Sequence, residues 1–207
     1  IDQDRNLDGV AMGVEWSQSA DSGIIPEYAV SKELADLYEP TDVRSVAYID
    51  QLPDANGDLY NAITKFFGEA GQQNGIVDPK LLRKAEVLLN KAESQYRSTN
   101  FSDAQALQTL DELRSERSPN ESGQDLLDAI LLERRLELAF EGHRFFDMKR
   151  LNLPIERSTT EGEFFDGSGT PTSFTELPAD SPKFQLPIPQ NEINIFPDFQ
   201  QNPGYSN

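Results

Sequence analysis

The segment Glu133-Arg-Arg-Leu-Glu-Leu-Ala-Phe-Glu-Gly-His-Arg-Phe-Phe-Asp-Met-Lys-Arg150 puts charge and aromatic bulk into one helical length. Leu127, Ile130, Leu131, Leu138 and Phe145 recur at helical spacing. Glu133, Glu137 and Glu141 form an i, i+4, i+8 row interleaved with Arg134, Arg135 and Arg144. The pattern predicts a helix packed on one side and charged on the other, with the three arginines neutralising the row. Glycine weakens a helix interior by roughly 1 kcal/mol relative to alanine, so a break is expected at Gly142, with a second short helix over His143 to Arg150.

Working upstream, Asp78 and Pro79 are suited to start a helix whose Leu81, Ala85, Leu88, Ala92 and Tyr96 share a face. Ser102 can cap a second, with Ala106, Leu110 and Leu113 turned inward. Joined through Ser98 to Phe101, the two make an antiparallel pair of tetratricopeptide-like size. No second copy of that repeat is visible, so the pair must bury its open face on the Glu133 helix or elsewhere. The expected core unites Leu88, Ala92, Leu110, Leu131 and Leu138. Nearer the start, Ser31 to Tyr38 reads as a short helix stopped by Pro40, Asp54-Ala-Asn-Gly-Asp58 as a turn, and Val10 to Trp16 as a strand. Beyond Pro154, proline, glycine and threonine indicate a loop-rich tail with a hairpin near Glu163 to Phe174. The fold class expected is mainly α: a helix pair plus a long charged helix, with loop-rich segments and short strands. One unit is expected, divided into a loop-rich ligand-side segment 1–75, a helical scaffold 76–154 and a tail 155–207.

Composition narrows the function. With 207 residues and 37% hydrophobic side chains the chain can bury a sizeable core, and no apolar run is long enough to span a membrane. A net charge of -18 argues against nucleic acid, which needs a basic surface. It is compatible with neutral sugars, peptides or cations. There is no cysteine, which excludes disulfides, thiol chemistry and cysteine-zinc sites. Ile1-Asp-Gln-Asp lacks the basic and apolar stretches of a signal peptide.

Four motifs together carry a family resemblance. The Glu133 to Arg150 block, the helix Leu82-Arg-Lys-Ala-Glu-Val-Leu-Leu-Asn-Lys-Ala-Glu93, the element Tyr38, Asp42, Arg44, and the closing Phe184-Gln-Leu-Pro-Ile-Pro with Gln201-Asn-Pro-Gly-Tyr205 occur in one order. They resemble the signatures of the SusD/RagB family of surface nutrient-binding lipoproteins. The resemblance spans about Ile24 to the C terminus. It implies a SusD-like protein without enzymatic activity, at the outer-membrane surface, that binds an oligosaccharide, or a peptide, and works with a SusC-like TonB-dependent transporter. It also implies a missing N-terminal half, because family members are far longer and carry a signal and a lipidated cysteine, which this chain lacks. Tyr38, Asp42 and Arg44 read as scaffold.

For ligand contact, exposed rings are the groups to seek, because a sugar presents an apolar face that stacks on them. Trp16, in a polar loop, is the first choice, with Tyr28 and Tyr60 next and Tyr48, Phe66 and Phe67 weaker. Separately, Asp4-Arg-Asn6-Leu-Asp8-Gly9 through Glu15 fits the calcium-loop template, with Asp4, Asn6, Asp8 and Glu15 as oxygen ligands. Calcium is the one cofactor the sequence suggests. A catalytic use of the glutamate row is disfavoured: Glu141 and His143 are two apart rather than at the Glu-x-x-His spacing of di-iron bundles, and His143 is the only histidine. The rival functions are a tetratricopeptide-like adaptor, expected to line a helical groove with aromatics, and a glycoside hydrolase, which needs two carboxylates across a cleft.

Overall fold

The computed structural model describes residues 28–53, 57–66, 80–118, 125–157, 175–196 and 198–205. Among them the chain is mainly helical, with short strands in two antiparallel pairs. The helices are α1 (Lys32–Ala35), α2 (Arg44–Ala47), α3 (Lys84–Arg97), α4 (Asp103–Arg114), α5 (Leu126–Glu137), α6 (His143–Leu151) and α7 (Gln190–Ile195). β1 (Ile49–Pro53) pairs with β2 (Leu59–Ile63), and β3 (Ile155–Glu156) with β4 (Glu176–Leu177).

Local chemistry explains most boundaries. Ser31 Oγ accepts from the Leu34 N–H and starts α1, which closes sooner than expected, at Ala35. Ser102 caps α4 in a capping box, its N–H donating to Gln105 Oε1 at 2.9 Å. The Asp54 to Asp58 segment joins β1 to β2, with Gly57 at φ +88°. Gly142 stands at φ +80° between α5 and α6, so the pinch divides the charged block into two helices.

The start of α3 departs from expectation. The helix begins at Lys84, after an extended Arg83, and Leu81 is exposed instead of sharing the core face. Arg83 explains this: its guanidinium is drawn to Glu137 and Glu141, and the extended backbone that delivers it there cannot also be helix.

The core lies in two clusters bridged by α5. Ala85, Leu89 and Ala92 of α3 meet Leu110 and Leu113 of α4 and Ala129, Ile130 and Leu138, with Leu88 and Tyr96 packed at the edge. Leu136, on another side of α5, packs with Val30, Tyr38, Ile49 and Ile63. Leu131 is only half-buried and joins neither. The periodicity identified a helical core but not the face that fills it, because α5 is enclosed on more than one side.

Candidate functional site

The glutamate row lies between the two apolar clusters, where Glu133 and Glu137 are fully buried. Its cations are not the arginines next to it in sequence. Arg44, delivered by α2 and itself 1% exposed, donates from Nη1 to Glu133 Oε1 at 2.6 Å and to Glu137 Oε2 at 3.2 Å. Its Nε and Nη2 grip both oxygens of Asp42 at 3.0 and 2.7 Å. Arg83 donates to Glu137 Oε1 at 2.9 Å and to both oxygens of Glu141, and Arg117 reaches Glu137 Oε2 at 3.1 Å. Lys65 pairs with Glu141 and donates to the carbonyls of Glu137 and Ala139, both at 2.9 Å, with its Nζ 4.0 Å from the centre of the Tyr48 ring. The Tyr38 hydroxyl donates to the Leu136 carbonyl at 2.9 Å.

The expected neutralisation by Arg134, Arg135 and Arg144 is therefore corrected. Successive helical residues diverge by about 100°, so an arginine beside a glutamate points away from its row. Arg134 turns to Asp147 of α6 and Asn90 of α3, and Arg135 to Glu33 near the surface. Burial alone would raise the Glu137 carboxyl, yet Arg83 and Arg117 hold it below the usual carboxylate range. Burial likewise opposes the Arg44 charge, and its bonds to Asp42 and Glu133 reverse that and push the guanidinium higher still. For Lys65 burial prevails over Glu141, and the ammonium falls to about 8. A carboxylate held as Glu137 is makes a poor proton donor or acceptor, and the cluster joins α2 and α5 to Arg83, Lys65 and Arg117.

The tail is stitched in the same manner. Gln201 accepts from the Ile188 N–H at 2.8 Å and donates to the Ile188 carbonyl at 2.9 Å, while Asn202 donates to the Leu186 carbonyl. The Leu-Pro-Ile-Pro turn and the Gln-Asn-Pro-Gly-Tyr segment are thus two halves of one clamp. Phe184 is buried and its ring packs 5.5 Å from Phe145, which fixes the clamp to α6.

Of the residues proposed to touch ligand, Tyr60 is set aside: it is 2% exposed on β2, and a ring without a free face cannot stack on a sugar. Tyr48 and Phe66 pack against the core. Tyr28 is 48% exposed and stands two residues before Val30, whose N–H donates to the Asn61 carbonyl at 2.8 Å. Trp16, Phe67, the strand over Val10 to Trp16, the hairpin over Glu163 to Phe174, and the calcium ligands Asp4, Asn6, Asp8 and Glu15 lie outside the described residues.

Among the described residues, two surface depressions bear on ligand binding. A cleft of about 370 Å³ lies between α1, α2 and the β1–β2 hairpin, with Ala35, Val46, Ile49, Gln51 and Asn61 among its walls. Sequence reasoning missed it, because its walls come from four short elements with no shared motif. A second, of about 340 Å³, is lined by charged and polar side chains of α3, α5 and α6, including Glu93, Arg97, Arg134 and Arg150, and by no aromatic ring.

Comparison with known proteins agrees with this geometry. The model described as SusD family matches residues 58–205. Among solved structures, a SusD superfamily protein from Bacteroides vulgatus ATCC 8482 is 29% identical with a TM-score of 0.70, covering 86% of this chain and 40% of that one. A second from the same organism, provisionally described as a sugar binding protein, is 27% identical with a TM-score of 0.70, covering 86% and 39%. A SusD superfamily protein from Parabacteroides distasonis ATCC 8503, at 23% identity and TM-score 0.68, shares the fold over 93% of this chain and 46% of that one. The chain thus spans about two fifths of the length of the first two structures. No match is found among curated proteins.

Proposed function

We propose, because this chain belongs to the SusD family, that the protein of which it forms at least part captures glycans at the outer-membrane surface and passes them to a SusC-like TonB-dependent transporter, without transforming them. The observation that carries this reading is the family match over residues 58–205, and a similar structure described as sugar binding supports it. The buried glutamate row supports the non-enzymatic part, since Glu133, Glu137 and Glu141 are each taken up by arginine or lysine. The adaptor reading called for aromatics along a helical groove, and the groove beside α3 is polar and charged instead. Among the described residues no helix is long and apolar enough to cross a membrane.

Calorimetric titration of the full-length protein against neutral and acidic oligosaccharides tests this reading. Saturable binding of at least one glycan is expected, with no change in its chain length. Trp16→Ala is expected to weaken that binding by roughly 1 to 3 kcal/mol, the worth of one stacked ring. Hydrolysis of the glycan, or the absence of any binding, refutes the proposal.

A further inference from the structure

Within that reading, we infer that the cleft between α1, α2 and the β1–β2 hairpin is a sugar subsite, and that it selects uncharged over uronate residues. Gln51 and Asn61 are direct cross-strand partners, so both amides stand on the same face of the hairpin. Asn61 is 96% buried on its 4% exposure, yet among the described residues its side chain makes one bond, a long 3.4 Å donation to the Val30 carbonyl. An amide has two donor hydrogens and an acceptor oxygen, and buried polar groups normally find partners for them. The unused capacity of Asn61 opens onto the cleft, beside a Gln51 amide that also has no side-chain partner among the described residues.

The rest of the cleft fits the same ligand. Ala35, Val46 and Ile49 supply an apolar wall, in which Val46 is 80% exposed. A patch of aliphatic carbon beside paired amides matches a sugar ring, which offers a C–H face and a rim of hydroxyls. The volume of about 370 Å³ lies at the low end for small-molecule sites, which suits one or two sugar residues of a longer chain. Charge sets the selectivity. The walls carry Asp36 and Asp50 against the single cation Lys32, which pairs with Asp36. Asp50 accepts the Gln51 backbone N–H at 2.8 Å and has no cationic partner among the described residues. A carboxylate there accepts from sugar hydroxyls and repels a uronate, in a chain that is already strongly acidic.

The test is titration of the full-length protein with gluco-, manno- and xylo-oligosaccharides and with oligogalacturonates. Gln51→Ala is expected to weaken the neutral ligand that binds wild type by about threefold to tenfold, the loss of one or two hydrogen bonds. Val46→Arg, at an exposed position, is expected to fill the cleft and abolish binding. Asp50→Asn is expected to narrow the gap between the neutral ligand and oligogalacturonate. All three cleft substitutions are at solvent-exposed positions, so melting temperatures should match wild type. If wild type binds a neutral glycan and both Gln51→Ala and Val46→Arg bind it equally, the cleft is not the subsite while the proposed function stands. A wild type that prefers oligogalacturonate overturns the selectivity, and one that binds none of these ligands removes the proposed function together with the cleft.

Discussion

Replacing Arg44 with alanine should be among the most damaging single substitutions in the described part of the chain. The side chain is 1% exposed and is the cation for Asp42, with bonds to Glu133 and Glu137 as well. The three carboxylates differ in what they would keep. Glu137 retains Arg83 and Arg117, so its charge stays compensated. Glu133 would lose its 2.6 Å bond and keep Arg114, whose Nε is 3.7 Å away, beyond hydrogen-bonding range. Asp42 would keep the backbone N–H of residue 44 and, among the described residues, no cation. The loss therefore breaks the buried pairs of Arg44 with Asp42 and Glu133, and removing one partner of a buried pair costs about 3 to 5 kcal/mol. Against a typical domain stability of about 5 to 15 kcal/mol, that is a third or more of the total.

In a chain of this size each kcal/mol moves Tm by about 2 to 4 °C, so a fall of about 6 to 20 °C is expected. Circular dichroism melts of Arg44→Ala beside Arg135→Ala make the comparison. The Arg135 pair with Glu33 is half open to solvent, and its loss should cost under about 1 kcal/mol. Should Arg44→Ala fail to fold, Arg44→Lys supplies the reading, since lysine keeps the charge but cannot form the two-pronged grip on Asp42. Melting of Arg44→Ala within about 2 °C of Arg135→Ala would refute the assignment of the cluster as a buried cross-link.

Two further outcomes follow from the same contacts. Lys65 has its pKa lowered from 10.5 to about 8, so between those values the unfolded chain holds a proton that the native one has released, and stability should rise as pH climbs through about 8. Tyr48, raised by burial from 10.0 to about 12, has the opposite effect: its contribution is intact below pH 10 and is lost above it. Glu137 and Glu93, held below 4.5, contribute stability above that value which falls away as acid protonates them. Urea midpoints at intervals from pH 7 to 11 should therefore peak near 9 to 10, and Lys65→Met should remove the rise. An equal rise in that variant would mean another group is responsible. In the tail, Gln201→Ala deletes both bonds to Ile188, costing about 2 kcal/mol, and hydrogen exchange at the Ile188 amide should accelerate while α3 to α5 stay protected. Unchanged exchange there would mean that the clamp is held by Phe184 and Asn202 alone.

The parts of the fold that could be read from the sequence are those specified by neighbours in the chain. Ser102 with Gln105, the glycines at 57 and 142, and the apolar spacing of α3 and α4 each act within a few residues. What could not be read lies across long separations. Arg44 and Glu133 are 89 residues apart, and nothing local says that this arginine, and not Arg134, meets the row. The misplaced start of α3 is the same effect, a helix shortened so that Arg83 can reach Glu137 from 54 residues away. Tyr60 is a related case: nothing within a few residues of it says that the hairpin turns its ring inward.

The contacts also explain why the family motifs were so legible and the candidate site so little. Tyr38, Asp42 and Arg44 dock on Glu133, Leu136 and Glu137, so the first motif is the partner of the third. On α3, Asn90 meets Arg134 and Glu93 meets Arg150, joining the second motif to the same block. The two halves of the last motif hold each other, and Phe184 fixes them to Phe145. Four separated patterns are therefore one connected object, with Asp42, Arg44, Glu133 and Glu137 buried at its centre. A substitution at that centre leaves a buried charge without its partner, which physical chemistry penalises wherever the protein is used. Ligand-facing residues carry no such obligation. Gln51 and Val46 can change without orphaning a neighbour, so the surface that would meet a sugar is free to vary with the sugar, and no fixed spelling of it exists to be recognised.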